Sequence, residues 1–254
     1  MKDAAVRLAR IAARVGRTAL CALEGAGRIR RLQRHGGADA PAQARLLQGI
    51  AQEVLEVHGV CVEVLGRVPR DPALLVANHV SWLDPLVIMA HAACLPVAKS
   101  EVARWPIVGW VASAGGVQFV DRGSALSGAR LVRTAARALS SGASVLNFPE
   151  GTTTQGGSIL PFKPGAFRAA CAASVPVVPV VISYGCDELA WTGDAAFLPH
   201  YLALLARESC PVRLQFGEPL QASSGASEFE LSRRAHLAVA AGLKEVRRGA
   251  AVGA

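Results

Sequence analysis

Several features are absent from this sequence, and each absence excludes a class of protein. The six cysteines form no C-x-x-C pair and no zinc-ligand spacing, so we expect no zinc site and interpret them as small buried thiols in a reducing compartment. No uninterrupted run of about 18 apolar residues occurs, so we expect no spanning helix, and no secretory signal is visible. With 52% hydrophobic and 18% charged residues, intrinsic disorder is excluded.

Positive charge is concentrated at the N-terminus. Residues 1–34 carry nine basic and two acidic side chains, which accounts for +7 of the net charge of +8. Apolar residues and arginines both recur there every three or four positions, which predicts an amphipathic helix over 3–34. Breaks are expected at Gly25, Gly27, Gly36 and Gly37, with a linker at roughly 35–40. Such a helix can lie on an anionic membrane surface, or it can pack on the domain with a solvated basic face. Nucleic-acid binding is disfavoured because no aromatic residues are interleaved with the charges.

The rest of the chain alternates between two kinds of hydrophobic pattern. Short apolar runs predict strands at 60–65, 73–77, 96–98, 117–120, 143–148, 175–182 and 212–216, and helical periodicity predicts helices at 41–58, 84–93, 124–140, 165–173 and 228–247. This alternation is typical of an α/β fold with a mostly parallel central sheet flanked by helices. The prolines within 175–182 predict irregular pairing of that strand. We therefore expect a basic helix and linker over 1–40, an α/β domain over 41–248 and a tail over 249–254.

Polar residues follow three of the predicted strands. Asn78 and His79 follow 73–77, Arg122 follows 117–120, and Glu150 follows 143–148. Ligand sites in such sheets gather at the carboxyl ends of the strands, so these clusters predict one pocket.

His79 and Asp84 suit acid–base chemistry if they can meet. Five residues apart on one helix they would point about 140° apart, so His79 must lie in a loop and Asp84 in the first turn of the next helix. Asp84-Pro85 is typical of an N-cap followed by the first helical residue. The carboxylate would then fix the imidazole tautomer and leave the other nitrogen as a general base for an external hydroxyl.

Each of these residues also has a plain structural interpretation. His79 can be an ordinary loop histidine, Asp84 a helix cap, Arg122 a surface arginine and Glu150 a solvated turn residue. Ser81 lacks the G-x-S-x-G context of a nucleophile, so we interpret it as a cap or loop hydroxyl.

Four segments together resemble the motifs of the lysophospholipid / 1-acylglycerol-3-phosphate acyltransferase family. They are Asn78-His79-x4-Asp84, 116–122, 148–152 and 175–180. The resemblance implies a glycerolipid acyltransferase-like fold and transfer of a fatty acyl group to a lysolipid hydroxyl in phospholipid biosynthesis or remodelling. The donor would be acyl-CoA or an acyl-carrier protein, with no metal and no bound cofactor.

The resemblance also implies a role for each matched residue. His79 would be the general base, Asp84 would orient it, and Arg122 would face an anionic headgroup. Substrate binding would further involve Asn78, Glu150, Gly151 and Thr152, and Pro179 would shape the site. Backbone N–H groups near 79–82 are a candidate oxyanion site.

The sequence departs from the family pattern in two places. Thr153 stands where an arginine often follows the third motif, and the continuation resembles the branch containing lysophosphatidylcholine-type and lyso-ornithine-lipid acyltransferases. Lys163 either supplies the missing cation or is a surface lysine. The basic helix stands where members often have apolar membrane helices, so we expect a monotopic protein on the cytoplasmic face of a membrane. The alternatives are an acyl thioesterase or hydrolase using the same His-Asp pair, and a non-enzymatic membrane-binding module.

Overall fold

The computed structural model describes residues 2–34, 39–104, 112–113, 117–121, 125–192, 196–221 and 227–252. The helices are α1 (Lys2–Arg34), α2 (Ala40–His58), α3 (Asp84–His91), α4 (Ala125–Ser140), α5 (Phe167–Ala173), α6 (Phe197–Ala206) and α7 (Glu228–Val252). The strands are β1 (Val60–Gly66), β2 (Leu74–Ala77), β3 (Cys94–Lys99), β4 (Gln118–Val120), β5 (Ser144–Asn147), β6 (Val177–Tyr184) and β7 (Cys210–Phe216). Short 3-10 turns cover Ser100–Arg104, Pro164–Ala166 and Asp187–Leu189.

The strands form one seven-stranded sheet in the order β1-β7-β6-β2-β5-β3-β4. All neighbouring pairs are parallel except β6 and β7. The predicted mostly parallel sheet is therefore confirmed. β2 lies at the centre between β6 and β5, and all four of its residues are buried. Strand β2 therefore delivers the loop that follows it to the middle of one sheet edge.

Strand β6 has the irregular pairing that its prolines predicted. Its regular ladder with β7 begins only at Val180, opposite Phe216. Beyond it the Pro179 carbonyl accepts from the Gly217 N–H at 2.8 Å, and an isolated bridge joins Val177 and Leu220. Pro179, which has no N–H to donate, lies in the gap between the ladder and the bridge, while it keeps its parallel register with Val76 on the other side.

Helix α1 packs against the domain through α2 and α6. It runs unbroken through Gly25 and Gly27, so the breaks predicted at these two glycines are wrong, whereas Gly36 and Gly37 lie outside the described residues. A Cβ built at Gly25 would lie 3.1 Å from the Ile50 side chain, so this glycine permits close helix contact rather than a break. Ile29 of α1 is buried. Among the described residues, no helix has both the length and the apolar character required to cross a membrane.

Several arginines of α1 bind the domain instead of facing solvent. The Arg14 guanidinium donates to the backbone oxygens of Leu205, Arg207 and Glu208, at 3.1, 2.7 and 3.1 Å. Leu205 lies in the last turn of α6, and Arg207 and Glu208 follow its end, where carbonyls have no N–H of the helix to accept from. Arg10 donates to Ala206 O at 2.8 Å. The sequence analysis did not predict α6, which packs beside α1.

Candidate active site

His79 and Asp84 meet at the carboxyl end of β2, in the arrangement that their spacing required. His79 lies in the loop after β2, and Asp84 is the first residue of α3. His79 Nδ1 is 2.8 Å from Asp84 Oδ2. The helix cap is Leu83, so the prediction of Asp84 as N-cap is wrong by one position. The carboxylate instead reaches back into the loop that carries the histidine.

Asp84 is the most constrained side chain in the site. Its side chain is 0% exposed, whereas that of His79 is 17% exposed. Besides His79, Oδ2 accepts hydrogen bonds from the backbone N–H groups of Val80 and Ser81 at 2.6 and 2.9 Å. Oδ1 accepts from the Tyr184 hydroxyl at 2.6 Å. Asp84 Oδ2 is the acceptor in its contact with His79, so Nδ1 is the nitrogen that carries the proton. The lone pair of the imidazole is therefore left on Nε2.

The His79 ring has one apolar wall. It stacks on Phe148, with ring centroids 4.0 Å apart and planes 18° apart. Phe148 follows β5, the neighbour of β2, so this contact is a consequence of the strand order. Since Nδ1 and one ring face are fixed, the imidazole has little freedom to turn.

Glu150 supports the same loop from the other side. Its Oε1 accepts from the His79 backbone N–H at 2.8 Å, and its Oε2 accepts from the Leu160 N–H at 2.8 Å. Its residue surface is 3% exposed. Burial raises the pKa of Glu150, against the opposing effect of the two backbone hydrogen bonds. In this structure Glu150 positions the histidine loop, and its predicted contact with substrate stays a prediction.

Asn78 is committed to the sheet. Its amide Nδ2 donates to Ile182 O and its Oδ1 accepts from Ile182 N, each at 2.9 Å. The residue is 1% exposed. Asn78 directly follows β2, and its two side-chain hydrogen bonds extend the pairing of β2 with β6 beyond the end of β2. The side chain therefore fixes the catalytic loop to β6 rather than pointing at a ligand.

Gly151, Thr152 and Lys163 lie together beside Glu150. Gly151 has φ +77°, and a Cβ built there would be 2.7 Å from Lys163 Nζ. The Lys163 backbone N–H donates to Pro149 O at 3.0 Å. Thr152 and Lys163 are both exposed. Position 151 requires a glycine because its φ is positive and because a Cβ there would collide with the Lys163 side chain. The Lys163 ammonium group therefore lies against the third motif.

Arg122 lies outside the described residues. The strand before it, β4, is at the edge of the sheet, separated from β2 by β3 and β5. Its proposed contact with an anionic headgroup stays a prediction.

The backbone N–H groups near His79 are not a free oxyanion site. The His79 N–H is donated to Glu150, and those of Val80 and Ser81 are donated to Asp84. The expectation that N–H groups near 79–82 bind an oxyanion is therefore wrong for these three, because each already has a carboxylate acceptor.

Two features of the site were missed by sequence reasoning. Tyr184 binds Asp84 from the last position of β6, 100 residues away in sequence. Trp82 is surrounded by aromatic residues of α6: its ring contacts Phe197 and Tyr201, and its Nε1 donates to His200 Nδ1 at 3.0 Å. The only available signal for Tyr184 was its place just beyond the apolar run at 175–182, since β6 and β2 end at the same edge.

This sheet, with an imidazole–carboxylate pair after its central strand, is the framework of a lipid acyltransferase. The acyltransferase family model matches residues 59–183. The lyso-ornithine lipid O-acyltransferase of Pseudomonas aeruginosa is 39% identical over 210 residues, which span 80% of each chain. The chain therefore belongs to the acyltransferase family.

Other similar proteins agree with this assignment. The 1-acyl-sn-glycerol-3-phosphate acyltransferase alpha of Homo sapiens is 38% identical over 153 residues, covering 55% of this chain and 51% of the human one. The crystal structure of the 1-acyl-sn-glycerophosphate acyltransferase PlsC from Thermotoga maritima superposes with a TM-score of 0.70 at 23% identity, over 96% of this chain and 98% of that chain. The latter likeness concerns the fold.

Proposed function

We propose that this protein transfers a fatty acyl group from a thioester to the free hydroxyl of a lysolipid, and that its acceptor is a lyso-ornithine-type aminolipid. The observation that carries the proposal is the His79–Asp84 contact of 2.8 Å within the chain's acyltransferase match. In support of the acceptor, the Pseudomonas aeruginosa relative named for that lipid aligns over most of both chains.

The geometry supports a simple chemical sequence. Nε2 of His79 accepts the proton of the acceptor hydroxyl while the oxygen attacks the thioester carbonyl. Asp84 stabilises the resulting imidazolium through Nδ1. The tetrahedral intermediate then collapses, the C–S bond breaks as the ester carbonyl re-forms, and the leaving thiolate takes the proton back from His79, which restores the neutral imidazole. No protein nucleophile is needed, because the acceptor hydroxyl attacks the thioester directly. The Ser81 hydroxyl is buried and accepts from the Leu83 N–H at 3.4 Å, as a loop hydroxyl does.

The donor thioester is acyl-CoA or an acyl-carrier protein. Lys163, which lies against Gly151 at the edge of the site, is a cation that can contact an anionic group of donor or acceptor. Arg122 is a second candidate on sequence grounds.

Access to lipid would come through an apolar strip next to the catalytic loop. The strip consists of Leu8, Val15 and Leu23 on α1 and Leu198 and Leu202 on α6, which are 67%, 45%, 71%, 62% and 37% exposed. Exposed apolar residues of this size, flanked by basic side chains, are typical of membrane-interface surfaces.

The strip is connected to the site through α6. Arg10 binds Ala206 and Tyr201 binds Thr18, so α1 and α6 lie side by side and run antiparallel. The exposed leucines of the strip therefore lie on two neighbouring helices. On its other side, Tyr201 contacts Trp82, three residues after His79. We infer that a bilayer bound at this strip, helped by the basic residues of 1–34, would bring both amphiphilic substrates beside the imidazole.

A lysolipid panel tests the proposed reaction. Labelled acyl-CoA or acyl-carrier protein is incubated with the protein and with lyso-ornithine lipid, lysophosphatidic acid or lysophosphatidylcholine, and products are identified by mass spectrometry. We expect the largest kcat/KM with lyso-ornithine lipid. A higher value with a phosphate-bearing acceptor would contradict the acceptor assignment. Fatty acid released at the same rate with and without lysolipid would indicate a thioesterase instead.

Vesicle co-sedimentation tests the proposed membrane surface. Leu8→Glu combined with Leu23→Glu places two charges in the apolar strip, and we expect the bound fraction to fall severalfold on anionic vesicles. Leu237→Glu is the matched control, because Leu237 is 54% exposed on α7, outside the strip. Equal loss in both variants, or in neither, would contradict the assignment of the strip.

A further inference from the structure

Tyr184 occupies a position that the acyl-transfer chemistry described above does not use. Its hydroxyl donates to Asp84 Oδ1 at 2.6 Å, while the three other donors to Asp84 bind Oδ2. Among the described residues, Tyr184 is the hydrogen-bond partner of Oδ1. A fully buried carboxylate must have its oxygens hydrogen-bonded, so this bond helps to hold Asp84 in one orientation.

The tyrosine is held rigidly in place. It is the last residue of β6, and Ile182, two residues earlier, is fixed to the catalytic loop by both hydrogen bonds of Asn78. The hydroxyl therefore has a defined position relative to the loop that carries His79.

The hydroxyl also remains a donor at all working pH values. Burial raises the pKa of Tyr184 well above its usual value, and the charge of Asp84 raises it further. A phenol that keeps its proton donates continuously to the carboxylate and leaves Oδ2 to His79.

We propose that Tyr184 is a positioning residue for acyl transfer: by holding Oδ1 it fixes the Asp84 carboxylate so that Oδ2 orients and stabilises the His79 imidazole. This role rests on the proposed function for its kinetic consequence. It does not need Tyr184 to touch either substrate.

The charged and titratable neighbours of this unit are few among the described residues. Glu150, from the loop after β5, interacts electrostatically with both His79 and Asp84. Cys210, from β7, faces Tyr184, and burial raises its pKa to about 12, so the thiol is neutral. Removal of the tyrosine hydroxyl therefore acts on the His79–Asp84 pair and on Ser81, whose side chain also hydrogen-bonds to Tyr184.

Tyr184→Phe tests the proposal with a built-in control. The chain has two tyrosines, and Tyr201→Phe removes the other hydroxyl, which contacts His58 and Thr18 instead of the catalytic pair. We expect kcat of Tyr184→Phe to fall about tenfold with little change in KM, because one hydrogen bond to a charged group is lost. The acidic limb of the kcat/KM profile should move to higher pH, because a carboxylate that has lost the Tyr184 donor presents more negative charge to the His79 imidazole. Tyr201→Phe, which removes a hydroxyl that lies between α1 and α6 and away from Asp84, should keep the wild-type pH profile.

A substrate-independent measurement separates failure of this inference from failure of the proposed function. The His79 ring is titrated by 15N NMR, its signal being identified by its loss in His79→Ala. We expect the titration midpoint to differ between Tyr184→Phe and wild type, and to be unchanged in Tyr201→Phe. An unchanged midpoint and unchanged kinetics in Tyr184→Phe would overturn the positioning role even if acyl transfer is demonstrated.

Replacement of Tyr184 by a fluorinated tyrosine distinguishes an effect on the hydrogen bond from structural damage in Tyr184→Phe. In the Tyr201→Phe chain, where Tyr184 is the remaining tyrosine, 3-fluorotyrosine makes the phenol a stronger donor without shortening the side chain. The acidic limb should then move to lower pH, opposite to the change in Tyr184→Phe. Movement in the same direction in both would overturn the proposal.

Discussion

Asp84→Asn is the substitution that best isolates the electrostatic part of the mechanism. The asparagine is nearly isosteric, and its oxygen can still accept from the backbone N–H groups that bind Oδ2. What disappears is the negative charge 2.8 Å from His79 Nδ1, on a side chain that is 0% exposed.

The size of the effect follows from Coulomb's law. Two unit charges about 4 Å apart in an effective dielectric of about 20 interact by about 4 kcal/mol. The imidazole is positively charged once it has taken the hydroxyl proton, so this interaction acts after proton transfer has begun. A loss of about 4 kcal/mol corresponds to about a 10³-fold lower kcat, within the range of about 10²–10⁴ expected for general base catalysis.

Steady-state kinetics with a labelled acyl thioester would measure this loss. We expect kcat to fall by about three orders of magnitude with KM nearly unchanged, because the charge matters in the transition state rather than in substrate binding. Asp71→Asn is the matched control: it makes the same chemical change at an exposed residue before the amino end of β2. A kcat of Asp84→Asn within threefold of wild type would refute the electrostatic role of Asp84.

Three further predictions concern residues around the pair. Glu150→Gln should lower the free energy of unfolding by about 1–3 kcal/mol, since glutamine can accept only one of the two backbone N–H bonds. Burial raises the pKa of Glu150 in the folded protein above its value in the unfolded chain. The difference in free energy of unfolding between wild type and Glu150→Gln should therefore be largest below the unfolded-state pKa and should shrink as the pH rises through the folded-state pKa. Urea titrations at several pH values would measure this difference, and a difference that grows with pH would contradict the prediction. Arg14→Ala should lower the thermal midpoint and increase hydrogen exchange at the end of α6, whereas Arg7→Ala, at an exposed position, should do neither. Lys163→Ala should raise KM for an anionic substrate severalfold at unchanged kcat; an unchanged KM would leave Lys163 as a surface lysine.

The sequence predicted the sheet well because its central strands are short apolar runs ended by polar residues. The 73–77 run became the fully buried β2, and the helical periodicity of 124–140 became α4, with Ala135 and Leu139 buried. Helix α6 was missed. Its apolar residues are needed on several faces, against Trp82 and α1, so they do not show a clear helical period.

The candidate site divides in a similar way. The contact between His79 and Asp84 could be predicted from their spacing, because His79 lies in a short loop and Asp84 in the first turn of the helix that follows it. The partners of Asn78 and Glu150 could not be predicted, because they are backbone atoms of Ile182 and Leu160 brought close only by strand order and loop packing. The N–H groups near His79 that we expected to be free are hydrogen-bonded to the carboxylates of Glu150 and Asp84. The direction in which these carboxylates point could not be predicted from the neighbouring sequence.

The most direct test of the central claim compares wild type with His79→Ala in one assay. Both proteins are given labelled acyl-CoA and lyso-ornithine lipid, with circular dichroism to verify that both are folded. We expect wild type to form the acylated lipid and release free CoA, and His79→Ala, while folded, to form no product above background. Near-wild-type turnover by His79→Ala would show that the His79 imidazole is not the base for this reaction.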